Sequence, residues 1–452
     1  MGRLSGITVA DALFTPWPTT DAIIGNPPFL GDRLIRSAHG GDYVEQLKAT
    51  FGVGVVDYSA YWFRRAQAHL RDGQRAGLVS TNTLRENKHR LASLDHVVRT
   101  GGVITDAIST QRWPGEAKVH VSITNWIKKP ANPVQHFTLD GIPVAGITPQ
   151  LRAGAGAVAD EPVRLPANRG RSFIGCQPTG PGFILNDDTA DALRAAGEAD
   201  VVRRYLTSDD IASVPGAHPS RWIIDFGTLP LEQAMRYPKA LDIVRHDVKP
   251  FRENNKQRHF ARLWWQFAWP RPEMRRAIDG KDRYIASTLT GKRLLFVWAD
   301  QSWCPSNLVG VMAFDDDYSM GVLTSRAHDA WAWARSSTFE MRLRYTPSSA
   351  FETFPWPTPD SDQRDAVAAA ARDLLDLRGQ IARDDSLGLT QLYNAVDEGA
   401  YTSLSKAHRR LDEAVASAYG WPKKTAQDPA EIVARLVALN AGVSMGQAYA
   451  PF

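Results

Sequence analysis

The stretch Asp21-Ala-Ile-Ile-Gly-Asn-Pro-Pro-Phe29 is an apolar strand candidate that runs directly into an asparagine, two prolines and an aromatic ring. Two consecutive prolines fix two φ angles and remove two N–H donors. We therefore expect the carbonyls of Asn26 and Pro27 to be rigid hydrogen-bond acceptors. Because ligands of open α/β sheets bind beyond the carboxyl ends of strands, the stretch predicts a binding site at a strand end.

The chemistry of this stretch suits an exocyclic amine. The side-chain oxygen of Asn26 and the carbonyl of Pro27 are two acceptors for the two N–H groups of such an amine. Phe29 offers a ring on which a flipped base can stack. Asn-Pro also begins many turns, so a simple loop is the alternative, but the preceding strand and the following ring favour a site.

The first 130 residues alternate between strand and helix candidates. Strands are predicted at 7–14, 21–25, 76–80, 103–108 and 119–126, and helices at 58–70 and 86–99. This α/β pattern predicts helices on a mostly parallel sheet. The short connection between the last two strands predicts an antiparallel hairpin at the sheet edge.

Three domains are predicted along the chain. Residues 1–130 form the α/β domain, and 131–360, where Pro and Gly are frequent, form a mixed α+β domain. Residues 361–452 form a helical domain with helices at 365–383 and 403–419. A third helix there begins after Asp428, with Pro429 at its first position, and ends near Gly442.

Composition excludes several classes of protein. Apolar residues make up 43% of the 452 and charged residues 23%, which is typical of globular proteins. No apolar run reaches the length of a membrane span. The two cysteines, Cys176 and Cys304, are far apart in sequence, so we expect no metal site, no disulfide framework and a cytoplasmic location.

Basic and aromatic residues are concentrated between residues 245 and 283. Eleven Lys or Arg residues occur there against five acids, although the net charge of the whole chain is only +4. Aromatic residues are interleaved with them. One interpretation is a nucleic-acid surface, and the other is a core with buried aromatics and solvated arginines.

The strand-end motif resembles the catalytic motif of amino-methylating DNA methyltransferases, and the wider chain is similar to the MmeI-like type IIL restriction-modification enzymes. The stretches 57–63 (DYSAYWF), 77–83 (GLVSTNT), 113–122 (WPGEAKVHVS), 343–347 (LRYTP) and 351–357 (FETFPWP) carry the similarity further along the chain. The resemblance covers nearly the whole chain. It implies a partial Rossmann-like methyltransferase sheet.

The resemblance also implies roles for individual residues. The residues that would hold the base are Asn26, Pro27, Pro28 and Phe29. Asp11 matches the position that contacts the adenine of S-adenosylmethionine, and Asp57 and Tyr58 stand where the next motif near this cofactor begins. The alternative for Asp11 is a turn or cap residue.

In the resembling enzymes the region after the methyltransferase core recognises the target sequence. Residues 131–360 occupy that place, and the basic stretch lies inside it. The resemblance therefore favours double-stranded DNA as its partner, with phosphate contacts supplying affinity. The candidate DNA-binding residues are Arg252, Lys256, Arg258, Arg262, Arg275 and Arg276. We expect the helical domain to be a packing and DNA-clamping accessory.

The chain departs from the resembling enzymes before Asn26. No glycine-containing cofactor loop followed by an acidic residue precedes it, and only 25 residues lie upstream. We expect that a separate chain supplies this part, or that the start is truncated. The nuclease of such enzymes is not seen either, so we expect no DNA cleavage.

Three functions remain open. The leading hypothesis is an enzyme that methylates the exocyclic amine of adenine, by direct transfer without a covalent nucleophile. The main rival is a recognition subunit that binds DNA and needs a partner to bind the cofactor. The third, methylation of RNA or protein, fits the large recognition-like region less well.

Overall fold

The computed structural model describes residues 7–113, 119–154, 162–253, 258–339 and 342–452. The chain forms two compact units, Met1–Asp160 (unit 1) and Glu161–Phe452 (unit 2). The division falls beyond the predicted boundary at residue 130, because the chain after it adds two short strands to the sheet of unit 1.

Unit 1 is a mixed α/β unit. Its strands in the described residues are β1 (Ala22–Gly25), β2 (Arg75–Thr81), β3 (Gly102–Arg112), β4 (His120–Lys128), β5 (Phe137–Leu139) and β6 (Ile142–Val144). Its helices there are α1 (Asp32–His39), α2 (Gly41–Phe51), α3 (Ser59–His69), α4 (Asn87–Ala92) and α5 (Leu94–Arg99).

The six strands form one sheet in the order β1-β2-β4-β3-β5-β6. The β1–β2 and β3–β5 pairs are parallel, and the β2–β4, β3–β4 and β5–β6 pairs are antiparallel. The prediction of a mostly parallel sheet is therefore wrong. The β3–β4 hairpin is confirmed, but it lies inside the sheet, because β5 and β6 extend the sheet beyond β3.

Two predicted elements differ in the structure. Residues 7–14 do not form a strand, because Asp11 starts a turn: its Oδ1 accepts from the N–H of Leu13 at 2.9 Å, and its carbonyl accepts from the N–H of Thr15 at 2.9 Å. The helix predicted at 86–99 is divided into α4 and α5 at Ser93, which has non-helical φ and ψ.

The core of unit 1 holds α3 against the sheet. The ring of Phe63 stacks on the fully buried Trp126 of β4, with centroids 5.4 Å apart. The indole N–H of Trp126 donates to Oε1 of the buried Gln67 at 2.9 Å. This contact satisfies both buried polar groups. It fixes α3 against β4, the strand that pairs with β2.

Unit 2 has strands and helices in roughly equal number among the described residues. Its strands are β7 (Ser172–Ile174), β8 (Ile184–Leu185), β9 (Val202–Leu206), β10 (Arg221–Ile224), β11 (Arg283–Thr288), β12 (Thr290–Gly291), β13 (Phe296–Asp300), β14 (Cys304–Pro305), β15 (Val309–Met312), β16 (Ser337–Phe339) and β17 (Arg342–Arg344). Its helices are α6 (Asp187–Ala195), α7 (Ser208–Ser213), α8 (Leu231–Ala234), α9 (Pro238–Asp247), α10 (Lys249–Glu253), α11 (Arg258–Arg262), α12 (Pro272–Ile278), α13 (Asp317–Thr324), α14 (Arg326–Arg335), α15 (Ser361–Asp384), α16 (Leu389–Asp397), α17 (Thr402–Ala418) and α18 (Pro429–Ser444).

The strands of unit 2 form three small sheets, β14-β9-β10-β8, β13-β11-β15-β7 and β12-β17-β16. The predicted tail helices are confirmed as α15, α17 and α18, and α16 was not predicted. Their buried faces share one hydrophobic core with the first two sheets. The tail therefore packs as part of unit 2.

One buried asparagine ties α18 to the rest of unit 2. The Asn440 amide nitrogen donates to the carbonyls of Val163 at 2.9 Å and Thr353 at 2.8 Å, and its oxygen accepts from the N–H of Val163 at 2.9 Å. Asn440 is 1% exposed. All three contacts link segments that are far apart in sequence.

We expect Asn440→Leu to lower the free energy of unfolding by about 2–4 kcal/mol, because buried carbonyl and N–H groups lose their partners. Urea unfolding followed by circular dichroism measures this change. The matched control is Asn394→Leu, an exposed asparagine on α16, for which a change below about 0.5 kcal/mol is expected. Equal effects of the two substitutions would contradict the structural role of Asn440.

Candidate active site in unit 1

The strand-end motif lies just beyond the paired part of β1. The parallel register pairs Gly25 with Leu78 of β2 as its last residue pair. In the next positions, the Asn26 side chain is exposed, whereas the Pro27 ring is buried. The two prolines have no N–H with which to continue the pairing. β1 therefore ends at the motif, and Pro27 anchors the backbone while Asn26 faces the open space beside it.

The motif forms part of the wall of a pocket of about 880 Å³. Asn26, Pro27, Pro28 and Phe29 all line it, together with Asp11, Tyr58, His39 and Trp62. Most of the wall is apolar. The structure thus brings the predicted base-holding residues and two of the three predicted cofactor residues to one cavity of the size that small ligands occupy.

A chain of hydrogen bonds fixes Asp11 in this wall. The Tyr43 hydroxyl donates to Oδ2 of Asp11 at 2.7 Å and lies 2.5 Å from the Tyr58 hydroxyl. Burial, followed by the hydrogen bonds to Tyr58 and Asp11, raises the pKa of Tyr43 above its ordinary value. Since a neutral hydroxyl has one proton, Tyr58 donates to Tyr43. Sequence reasoning missed Tyr43, a single tyrosine within α2.

Aromatic rings surround this chain of hydrogen bonds. The imidazole of His39 stacks on Tyr43, with centroids 4.8 Å apart and planes at 28°, and on Tyr58 at 5.3 Å and 29°. Trp62 contacts the Tyr58 ring edge-on at 4.8 Å. The rings hold Tyr58 in place on the pocket wall. The α1 and α3 residues involved were not predicted as site residues.

Asp57 has a structural role, contrary to the prediction that it contacts the cofactor. It is 5% exposed, and one carboxylate oxygen accepts from the N–H and hydroxyl of Ser59 at 3.0 and 2.7 Å. The other accepts from Thr81 at 3.0 Å and Thr83 at 3.5 Å. Asp57 thereby joins the start of α3 to the end of β2. Among the described residues, it is not part of the pocket wall.

A second aromatic ring stands beside the motif. Trp113, at the end of β3, lies with its ring centroid 6.3 Å from that of Phe29 and nearly perpendicular to it at 84°. The backbone N–H of Trp113 donates to the backbone carbonyl of Val119 at 2.9 Å, and this bond closes the β3–β4 hairpin. Trp113 belongs to the stretch 113–122 that carries the family resemblance, but no role was predicted for it.

Two of the predicted DNA-binding arginines are engaged within unit 2. Arg252 is fully buried, and its guanidinium donates to the carbonyls of Thr179 at 3.0 Å, Leu263 at 3.1 Å and Gln266 at 2.7 Å, and also to that of Pro178. The prediction for Arg252 is therefore wrong, because every donor group faces the backbone and none faces solvent.

Arg275 is engaged by a buried acid. Its two terminal nitrogens donate to Oδ2 and Oδ1 of Asp225 at 2.8 and 3.0 Å, and the Asp225 side chain is 0% exposed. A buried carboxylate requires such a partner, so Arg275 is not available to a phosphate and its prediction is also wrong. Arg258, Arg262 and Arg276 are exposed.

The rest of the basic stretch also differs from expectation. Lys256 lies outside the described residues. Most aromatics of the stretch are buried, namely Phe260, Trp264, Trp265, Phe267 and Tyr284. Phe251 and Trp269 are about half exposed, at 51% and 48%. The stretch is therefore mainly a core whose surface carries a few free cations.

Two family models match the chain. Residues 7–134 match "MmeI, DNA-methyltransferase domain", and residues 166–358 match "MmeI, target recognition domain". Together they cover more than two thirds of the chain, and the resemblance seen in the sequence is confirmed. The chain belongs to the MmeI family, with a DNA-methyltransferase domain followed by a target recognition domain.

Two individual proteins are similar over most of the chain. "DNA methyltransferase A" of Bacillus subtilis (strain 168) is 21% identical over 413 residues, which are 88% of this chain and 45% of that protein. The type IIL restriction-modification enzyme MmeI, solved in complex with DNA, is 22% identical with a TM-score of 0.72, covering 94% of this chain and 57% of that one. The chain spans about half the length of both.

Within the described residues, no helix has the length and apolar character needed to cross a bilayer.

We expect Arg252→Met to lower the free energy of unfolding by at least about 3 kcal/mol, because several buried carbonyls lose their donor. Arg262→Met, at an exposed position of α11, is the matched control, with an expected change below about 0.5 kcal/mol. Chemical denaturation measures both. A fully stable Arg252→Met protein with weakened DNA binding would restore the original prediction for this residue.

Proposed function

We propose that the protein transfers a methyl group from S-adenosylmethionine to the exocyclic amine of adenine in a specific duplex DNA site, within a restriction-modification or phage-defence system. The main support for this proposal is the position of the strand-end motif in the fold. Asn26–Phe29 lies beyond the last paired residue of β1 and in the wall of the pocket, with Phe29 beside Trp113.

The motif supplies hydrogen-bond acceptors and a ring. The Asn26 side-chain oxygen and the Pro27 carbonyl accept the two N–H groups of the amine, which orients the nitrogen lone pair toward the incoming methyl group. Extrusion of a base from the duplex costs a few kcal/mol. Contacts with Phe29 and Trp113 offset this cost. The new N–C bond would form as the bond between the methyl carbon and the sulfonium sulfur breaks, S-adenosylhomocysteine would leave, and the amine would release a proton to solvent.

The part of the pocket wall around Asp11 fits an adenosine group, and S-adenosylmethionine would supply the methyl group when bound there. Asp11 is exposed to the pocket, and each of its oxygens accepts one hydrogen bond from the protein, which leaves a further lone pair for an adenine amine. Tyr58, His39 and Trp62 supply aromatic surface beside it. Tyr43 positions Asp11.

The free edge of β1 supports a contribution from a separate chain. Among the described residues, β1 pairs only with β2, and Ile24 at its centre is 88% exposed. An exposed edge with an apolar side chain is a template for another strand. We propose that unit 1 is part of a Rossmann-like methyltransferase sheet and that strands from a partner chain complete the sheet and the cofactor pocket at this edge.

Unit 2 would recognise the DNA. Its exposed arginines Arg258, Arg262 and Arg276 are available for phosphates, in contrast to Arg252 and Arg275. Phosphate contacts position a protein on the duplex, and separate contacts to base edges specify the sequence. The second candidate function, a recognition subunit without its own cofactor binding, is favoured by the same open β1 edge.

In an assay that includes the partner chain proposed above, we expect Asn26→Ala to reduce methyl incorporation into duplex DNA about 100-fold or more, because the amine loses its orienting acceptor. DNA affinity should stay within about twofold, since Asn26 contributes no phosphate contact. Asn132→Ala, at another exposed asparagine of unit 1, is the control and should retain full activity. An active Asn26→Ala protein would exclude this mechanism.

Calorimetric titration of the purified chain with S-adenosylmethionine tests the need for a partner. We expect no saturable binding, because the open β1 edge leaves the pocket incomplete. Saturable binding in the micromolar range would show that the cofactor site is complete within this chain, and the partner proposal would fail while the methyltransferase proposal stands.

A further inference from the structure

In the first half of helix α17, the solvent-exposed face carries only positive charges. The exposed residues in its first half are Thr402, Ser403, Ser405, Lys406, Arg409 and Arg410, and we call this set the α17 face. It contains three cations, three hydroxyl groups and no acid. Residues 359–452 lie outside both family matches, so the comparisons assign the face no role.

The neighbouring tail helix α15 provides the contrast. Its exposed charged residues are of both signs, namely Asp362, Asp365, Asp373, Asp376 and Asp384 together with Arg372 and Arg383. Mixed charges of this kind are typical of a helix surface that is merely solvated. Both helices belong to the same unit and pack on each other. The single sign on α17 is therefore a property of that face and not of the tail in general.

No ion pair within the described residues engages the cations of the α17 face. Glu413 stands one turn after Arg409 but pairs with Lys423 at 3.3 Å. Asp412 is buried and faces Arg326 at 3.8 Å. The last turn of α17, where a cation would stabilise the helix dipole, contains none. Helix stability therefore does not explain these cations.

His408, in the same helix, adds no charge to the face. His408 points inward and lies 2.8 Å from the Tyr393 hydroxyl. Burial, and then the nearby Arg378, Arg293 and Arg326, lower the pKa of His408 to about 4. The imidazole is thus neutral at neutral pH, and two of these arginines are paired with acids, Arg326 with Asp412 and Arg293 with Asp397.

We propose that the α17 face binds the phosphate backbone of duplex DNA. The proposal rests on the proposed function in taking DNA as the ligand. Lys and Arg neutralise phosphates, and Ser and Thr hydroxyls donate to phosphate oxygens. From Thr402 to Arg410 the helix rises about 12 Å, a length over which one strand of B-DNA carries roughly three phosphates. The contact gives affinity without sequence preference.

The test is the salt dependence of DNA binding by the full chain with and without the three cations. Lys406→Gln/Arg409→Gln/Arg410→Gln and the wild-type protein are titrated by fluorescence anisotropy with a duplex of random sequence, between roughly 50 and 200 mM salt. We expect the slope of log K against log salt to become shallower by about 2–3. Affinity at low salt should fall at least about tenfold.

The matched control removes the same charge elsewhere in unit 2. Arg169→Gln/Arg383→Gln/Lys424→Gln also loses two arginines and one lysine from exposed positions, and it should retain most of the slope. Arg409→Lys/Arg410→Lys should retain the wild-type slope, because a phosphate contact requires charge and not the arginine fork. Thermal unfolding should be unchanged for all three variants, since the side chains are exposed.

The outcomes separate this proposal from the proposed function. A wild-type slope in the α17 variant, or an equal loss in the Arg169 control, would overturn the role of the α17 face while leaving DNA binding in place. No binding of duplex DNA by the wild-type chain even at low salt would overturn both. Loss of binding by the charge-conserving variant would indicate base-edge reading, which contradicts a phosphate contact.

Discussion

The two prolines after β1 are the constraint on which the candidate site depends. Without an N–H at either position, the chain cannot continue its pairing, so the strand ends at Gly25. The buried ring of Pro27 then anchors the backbone and leaves Asn26 exposed. The parallel partner β2 is joined through Asp57 to α3, and α3 is held on the sheet by Phe63 and Trp126. These contacts hold β2 and α3, and so they fix the position of the motif at the end of β1.

Unit 2 is organised around buried polar groups that each connect several segments. Arg252 donates to two backbone carbonyls just after α11 and to the turn at 178–179. Arg275 neutralises Asp225, and Asn440 ties α18 to Val163 and Thr353. Burial of such groups is tolerated only when their hydrogen bonds are made. The Asn440 contacts tie the helical tail to the target recognition region within unit 2.

Local patterns predicted much of unit 1. The apolar run before Asn26 and the amphipathic pattern of α3 depend on nearest neighbours, and both are confirmed. The predicted strand at 7–14 is wrong because the Asp11 side chain forms a turn, and the sheet is less parallel than expected because the short β5 and β6 depend on pairing with β3. Tyr43 could not be found by pattern, since its hydroxyl meets Asp11 and Tyr58 only in the folded chain.

The sequence by itself determined the class of protein and the position of the strand-end motif, because strand, prolines and ring are consecutive and act through local backbone geometry. Only the tertiary structure decided which charged side chains are exposed to solvent and which are engaged by other residues. Arg252 and Arg275 differ from Arg262 in burial and in partners, and both depend on segments distant in sequence. The same holds for Asp57 and Asp11, of which one is buried beneath α3 and the other opens to the pocket.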